Sequence, residues 1–315
     1  MQQRWYPEYQ ERDKDIVDYQ EFRIDGCDVP FRGPALDPFS APQGSFFSCL
    51  GAAQTYGCYY KPFPNMVAEK IGLTALNLGV GGAGPGFYTQ YPRLIEAMNR
   101  GRFVILQCMA ARHESNSRFE ADGYVEFLRE RKTGESVSSN IAWKRIVTEE
   151  MDQAERYVAE TRQSWIETSR KLISMIEVPV IFFWYSRRQR DYVIDYSAIA
   201  EQNKRRTQGK DDSHFVDGLT GDFPHLIDGA TSWGVAAQCD AYAECFSSRG
   251  MGQPLINRFT GKPCEILPGG DPTRPEWHAR RVAINDYYPS AEMHEDATQA
   301  LLPVVRRLLE IHTAP

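Results

Sequence analysis

"SFFSCLGAAQTYGCYYKPFPNMVAEKIGLTALNLGVGGAG", residues 45–84, is the stretch that decides the fold. "SFFSCLG" is a short apolar run stopped by Gly51, which reads as a buried strand. "KPFPNMVAEKIGL" follows with Pro64 in a first-turn position and Met66, Val67, Ile71 and Leu73 along one face, which predicts a helix. "TALNLGV" supplies a second strand and "GGAGPGF" a glycine loop. Working outward, "YPRLIEAMNRG" (91–101) predicts another helix ended by Gly101, and "RFVILQCMA" (102–110) a third buried strand. Strand, helix, strand, helix, strand with short connections implies a parallel sheet with right-handed crossovers. "VPVIFFWYS" (178–186) adds a strand covered on both faces, and "INDYYPSAEMHEDATQALLPVVRRLLEIH" (284–312) closes with an amphipathic helix whose Leu301, Leu302, Val305, Leu308 and Leu309 face the sheet. The expected fold class is α/β, a three-layer sandwich with a parallel sheet.

On either side of this pattern the composition changes. Residues 1–45 are polar and proline-rich, ending in "VPFRGPALDPFSAPQG", and read as an N-terminal arm that wraps the domain. Residues 46–315 read as a single α/β domain, with a charged, mostly helical insertion at about 112–170. The stretch 214–250 is expected to carry a helix, and "QPLINRFTGKP" (253–263) is loop material. With 42% hydrophobic and 25% charged residues the chain is an ordinary globular one, and 12% aromatic residues leave material for a pocket wall. A formal net charge of -6 argues against non-specific nucleic-acid binding, which needs a basic face. No apolar run reaches bilayer-spanning length and the first residues carry no apolar signal region, so the expected location is cytoplasmic, with no membrane partner. Seven cysteines without CxxC spacing fit buried free thiols.

Strand, "GAAQTYG", helix, strand, "NLGVGGAG", and a histidine just before the last helix together resemble the SGNH (GDSL-like) hydrolase family. In that family the first strand ends in a Gly-Asp-Ser turn; Gly51, Ala52 and Ala53 stand at those places, so the serine position holds Ala53. Asn77, Gly79, Gly81 and Gly82 match the second family block. His294 matches the histidine of the final Asp-x-x-His block, with Ala291 in place of its aspartate, and the Gly-x-Asn-Asp block is answered only by Asn116 in a shifted place. The resemblance implies an SGNH- or flavodoxin-like sandwich and covers the scaffold better than the catalytic residues. The combination of "FRGP", "NLG", "LQCM" and "SNS" is also similar to an uncharacterised bacterial domain family close to these hydrolases.

Acyl transfer on such a scaffold needs a hydroxyl activated by a histidine and donors for the oxyanion. His294 is the candidate base, against the plain alternative that it caps the final helix. Thr55 is the candidate replacement nucleophile, ahead of Cys58 and Ser48, against the alternative of a helix cap. Gly51, Gln54, Gly81 and Gly82 are expected to line an anion-friendly turn, with Arg32, Arg112, Asn116 and Arg187 as substrate- or anion-binding residues. No metal site is expected: His113 beside Glu114, and His214 near Asp211 and Asp212, lack ligand spacing. No cofactor is expected on the hydrolase reading. A sulfotransferase-like group transferase would instead use a sulfonucleotide donor held by the arginines. The partners expected are a small-molecule or glycan substrate, with room for a homo-oligomer, and a third reading is a binding protein without catalysis.

Overall fold

The computed structural model describes residues 13–122, 125–207, 215–266 and 281–311. In chain order the core elements are β1 (Phe46–Leu50), α1 (Ala53–Tyr56), α2 (Phe63–Ile71), β2 (Thr74–Asn77), α3 (Pro85–Tyr88), α4 (Pro92–Asn99) and β3 (Val104–Gln107). After them come β4 (Phe119–Ala121), β5 (Phe127–Glu130), β6 (Ser136–Ser138), α5 (Ser139–Glu149), α6 (Ala154–Ser174) and β7 (Val180–Ser186). The chain continues through α7 (Tyr196–Thr207), α8 (Phe215–Thr220), α9 (Gly229–Ala236), β8 (Ala241–Phe246), β9 (Gln253–Pro254), β10 (Ile284–Asn285) and α10 (Ala291–Ile311).

The sheet has five strands in the order β2-β1-β3-β7-β8. All its pairings are parallel, with Phe46 opposite Thr74, Ser48 opposite Val104, Val104 opposite Val180 and Ile181 opposite Ala241. The order reverses direction after β1, which puts a topological switch between β1 and β3, the place where open α/β sheets receive ligands at their carboxyl ends.

Alternation along the strands splits the core into two layers. Phe46, Leu50, Leu76, Leu106, Phe182 and Trp184 pack with Leu94 and Met98 of α4 and Trp165 and Leu172 of α6. On the other face Phe47, Cys49, Ile105, Ile181, Phe183 and Tyr185 meet Phe63 and Val67 of α2 and Met293, Ala297, Leu301, Val305 and Leu308 of α10. At about 1.5–3 kcal/mol per buried large apolar side chain, the α10 stripe contributes on the order of 10 kcal/mol of gross burial energy, before the entropy of ordering the helix is subtracted. Residues 13–45 have almost no regular structure and lie against the domain. Phe22 pairs with Phe31 and Arg32 with Asn77 as isolated bridges, and Tyr19 and Phe31 are fully buried.

Three stretches differ from, or add to, the sequence expectation. Within 112–170, expected as mostly helical, β4, β5 and β6 form a small antiparallel sheet before α5 and α6 begin. Its strands are short, each buries one apolar residue in the core, Phe119, Leu128 or Val137, and Arg118, 9% exposed at its side chain, pairs with Glu130 of β5 and with Glu149 and Glu150 beyond. Such a sheet leaves no apolar period of two to read. The stretch 214–250 carries the expected helix, as α8 and α9, and adds a strand not expected there: "AYAECF" forms the fifth strand, β8, whose edge position leaves only Ala243 and Cys245 buried. Residues 253–263, expected as a loop, hold β9, which pairs antiparallel with β10, and an Ile256–Pro263 bridge. Among the described residues no helix is long and apolar enough to cross a membrane.

Candidate functional site

β1 runs into the turn Gly51–Gly57, whose middle is the four-residue helix α1. A Cβ on Gly51 would lie 2.1 Å from Thr55 Oγ1 and 2.4 Å from Gln107 Oε1, so only glycine lets the turn close onto β3. Gly57, at φ +78°, ends α1 in the left-handed region. The first two amides of the turn, expected to face an anion, are engaged inside the protein. Gly51 N–H donates to Tyr88 Oη at 3.0 Å and Ala52 N–H to Gln107 Oε1 at 3.0 Å. Ala53, 8% exposed, belongs to an apolar cluster with Ile16 and Tyr19 of the arm and with Leu255 and Ile266. The position that the hydrolase resemblance assigns to a nucleophile is therefore core.

Thr55 is fully buried, and its hydroxyl donates to Gln107 Oε1 at 3.3 Å. Asn77 ties the same turn down, its Nδ2 donating to Thr55 O at 2.8 Å. His294 sits at the start of α10 with no exposed surface. Phe63 N–H donates to its Nδ1 at 3.3 Å, which fixes the proton on Nε2, and Nε2 has no partner among the described residues. Burial, and secondarily the charge of Arg32, lower the His294 pKa to about 3. Phe63 and Tyr185 flank its ring at 6.3 and 5.9 Å between centroids, and no hydroxyl among the described residues is hydrogen-bonded to it.

The remaining expected residues separate. Arg32, 5% exposed, points inward: its Nη1 and Nη2 donate to Gly57 O and Tyr60 O, each at 3.3 Å, and its guanidinium lies 4.6 Å from the Tyr19 ring centroid. Arg112 is committed to His113 Nε2 at 3.0 Å, Asn140 Oδ1 at 3.2 Å and Glu126 Oε1 at 3.4 Å. Gly82, at φ +75°, lies against the same Glu126, and Gly81 beside it is half-buried. Asn116 folds its own loop, donating to Thr161 Oγ1 at 3.1 Å and accepting from the amides of Arg118 and Phe119. Among the described residues no group of His, Cys, Asp and Glu stands where it could hold a metal ion; His214, Asp211 and Asp212 lie outside the described residues.

Two expected residues do meet. Gln54 and Arg187 line a cleft over the carboxyl ends of the sheet, together with Tyr185, Ser186, Asp222, Phe223, His225, Tyr287, Pro289 and Met293, around a cavity of about 40 Å³. Three lining residues each carry a buried polar atom without a partner among the described residues: Gln54 Oε1, Tyr185 Oη and His225 Nε2. His225 Nδ1 lies 2.6 Å from Gly221 O, and a carbonyl only accepts, so Nδ1 carries the proton and Nε2 presents a lone pair. Burial, with Arg112 next, lowers the His225 pKa to about 3, so the ring is neutral. Burial also raises the Tyr185 pKa, which keeps its hydroxyl protonated. Arg187 is neutralised at the mouth by Asp222 at 3.1 Å. Sequence reasoning did not single out the Tyr185 hydroxyl or His225. Tyr185 was hidden in an apolar strand, and His225 has no motif, only a tight loop between Gly221 and Gly229.

Residues 8–122 match the model of a domain of unknown function, DUF6473. No curated protein matches the chain. Among solved structures the chain is similar to a candidate acylhydrolase from Bacteroides fragilis NCTC 9343, at 10% identity and a TM-score of 0.34, over 86% of this chain and 93% of that one. It is also similar to a carbohydrate esterase family 2 enzyme with a carbohydrate-binding domain from Corynascus thermopiles (Myceliophthora fergusii), at 12% identity and a TM-score of 0.36, over 89% of this chain and 70% of that one. At these values neither likeness bears on what this chain does.

Proposed function

We propose that the protein binds the polar end of a small molecule of carbohydrate type in the cleft above β1 and β7, and that the Gly51–Gly57 turn does not hydrolyse esters. One observation carries this reading: three residues that line one cleft each carry a buried polar atom without a partner among the described residues. An unsatisfied buried polar atom costs about 1–3 kcal/mol, and proteins keep few of them. Three around a single opening at the carboxyl end of a parallel sheet are best accounted for by a ligand or ordered water that completes them. A cavity of about 40 Å³ admits an end group and not a whole sugar ring. The ring would then lie at the mouth against Phe223 and the 54% exposed Tyr287, whose aromatic faces suit the apolar side of a sugar.

The geometry gives catalysis little support. Thr55 and His294 are both buried, share no hydrogen bond, and neither lines the cleft. The sulfonucleotide reading needs cations converging on one anionic group, whereas Arg32, Arg112 and Arg187 are each committed to different partners.

The test is a thermal-shift screen of mono- and oligosaccharides on the parent, Gln54→Met and Tyr287→Ala proteins. A bound ligand raises the melting temperature as its concentration passes Kd. The expected result is a shift in the parent that both variants weaken. A panel in which no saccharide shifts the parent, or a shift that both variants retain, would overturn the assignment.

A further inference from the structure

We infer that the cleft selects a neutral hydroxyl-bearing end group, such as the hydroxymethyl of a sugar, over the corresponding carboxylate and the corresponding amine. This rests on the binding reading above and names the ligand chemistry the same site takes.

Two of the unpartnered atoms, Gln54 Oε1 and His225 Nε2, accept hydrogen bonds. His225 cannot turn its lone pair away, because its other nitrogen is bound to Gly221 O at 2.6 Å. Only a donating group, in a ligand or an ordered water, can satisfy His225 Nε2. A carboxylate, sulfate or phosphate dianion donates nothing and would set its own lone pairs against theirs. An ammonium group donates, but it would bury a further positive charge in a cleft that Arg187 already lines. Asp222 offers an amine little, since it lies 56% exposed at its side chain and pairs with Arg187.

A hydroxyl meets all three conditions. It donates to His225 Nε2 or to Gln54 Oε1, it accepts from Tyr185 Oη, and it brings no charge into the cleft. Ser186 leaves this role to the ligand, because its own hydroxyl already donates to Phe223 O at 2.7 Å and accepts from Arg188 N–H at 3.0 Å. His225 and Gln54 are thus the residues that set specificity.

The experiment compares glucose, glucuronate and 6-amino-6-deoxyglucose, which differ only in the group at one end, by isothermal titration or ligand-detected NMR on the parent, His225→Phe and Gln54→Met proteins. We expect glucose to bind at least about tenfold more tightly than either charged analogue, and at least one of the two variants, the one that removes the acceptor of the single hydroxyl proton, to lose roughly tenfold in glucose affinity, the effect of one hydrogen bond lost in a buried site. The melting temperature of each variant shows that it is folded. Tight binding of glucuronate or of the amine, weakened by Tyr287→Ala, would keep the cleft as a binding site and overturn its selectivity. Glucose affinity unchanged in both folded variants would also overturn it. Failure of all three sugars to bind the parent would remove the binding reading and this inference together.

Discussion

Ala53 lies among Ile16, Tyr19, Leu255 and Ile266, with 8% of its surface exposed. A serine hydroxyl there enters an apolar cluster, so Ala53→Ser is expected to destabilise the fold by about 1–3 kcal/mol. It is also expected to add no hydrolysis of short acyl esters, since His294 is held by Phe63 N–H and points its free nitrogen at no hydroxyl. Thermal unfolding beside an ester assay checks both halves. A variant as stable as the parent that turns over esters would show that the turn keeps a working site. At this scale the sequence was legible where the demand on a residue is local. Gly51 and Gly57 were readable as turn glycines because backbone approach requires them. The inward aim of Arg32 was not, because its acceptors, Gly57 O and Tyr60 O, are brought to it only by the packing of the arm.

Among the elements, Glu114 joins the loop after β3 to the insertion. Its carboxylate accepts from Ser164 Oγ at 3.3 Å and Thr168 Oγ1 at 3.0 Å on α6, and burial raises its pKa to about 7, against which those hydrogen bonds work. A carboxyl whose folded pKa is raised stabilises the fold below its unfolded value of 4.5, and that contribution is lost as pH rises through about 7, a difference of about 3 kcal/mol. Glu114→Gln removes the charged form. It is expected to match the parent near pH 4.5 and to melt at a higher temperature near pH 8; equal melting temperatures at both pH values would contradict the burial cost. The helices α2, α4 and α10 and the strands β1, β2, β3 and β7 were legible because each carries its own apolar period. The sheet β4-β5-β6 was not, since each of its strands buries one apolar residue in the core, and Arg118 and its carboxylates look like a solvated surface in sequence.

For the molecule as a whole, the three histidines among the described residues are uncharged, His113 and His294 buried and His225 half-buried. Burial is the largest cause of the lowered pKa of His113, His225 and His294, with Arg112 acting on the first two and Arg32 on the third. The unfolded chain takes up protons at these sites near pH 6.5 and the folded chain does not until about pH 3 for His225 and His294. Stability is therefore expected to fall as pH drops below about 6.5, by several kcal/mol in total, with Glu114 opposing as a single group. Urea midpoints at pH 7 and pH 5 check this above the usual carboxylate range, and an unchanged midpoint would refute it. By itself the sequence determined the layered α/β fold, because apolar runs, helical periods and turn glycines act over a few neighbouring residues and need no distant partner. Tertiary structure decided the site. Gln54, Tyr185, His225 and Tyr287 come from four separate segments, and an atom becomes buried without a partner only once those segments have packed. The same packing made Ala53 core, because the arm and the Leu255–Ile266 segment close over a turn that is open in sequence.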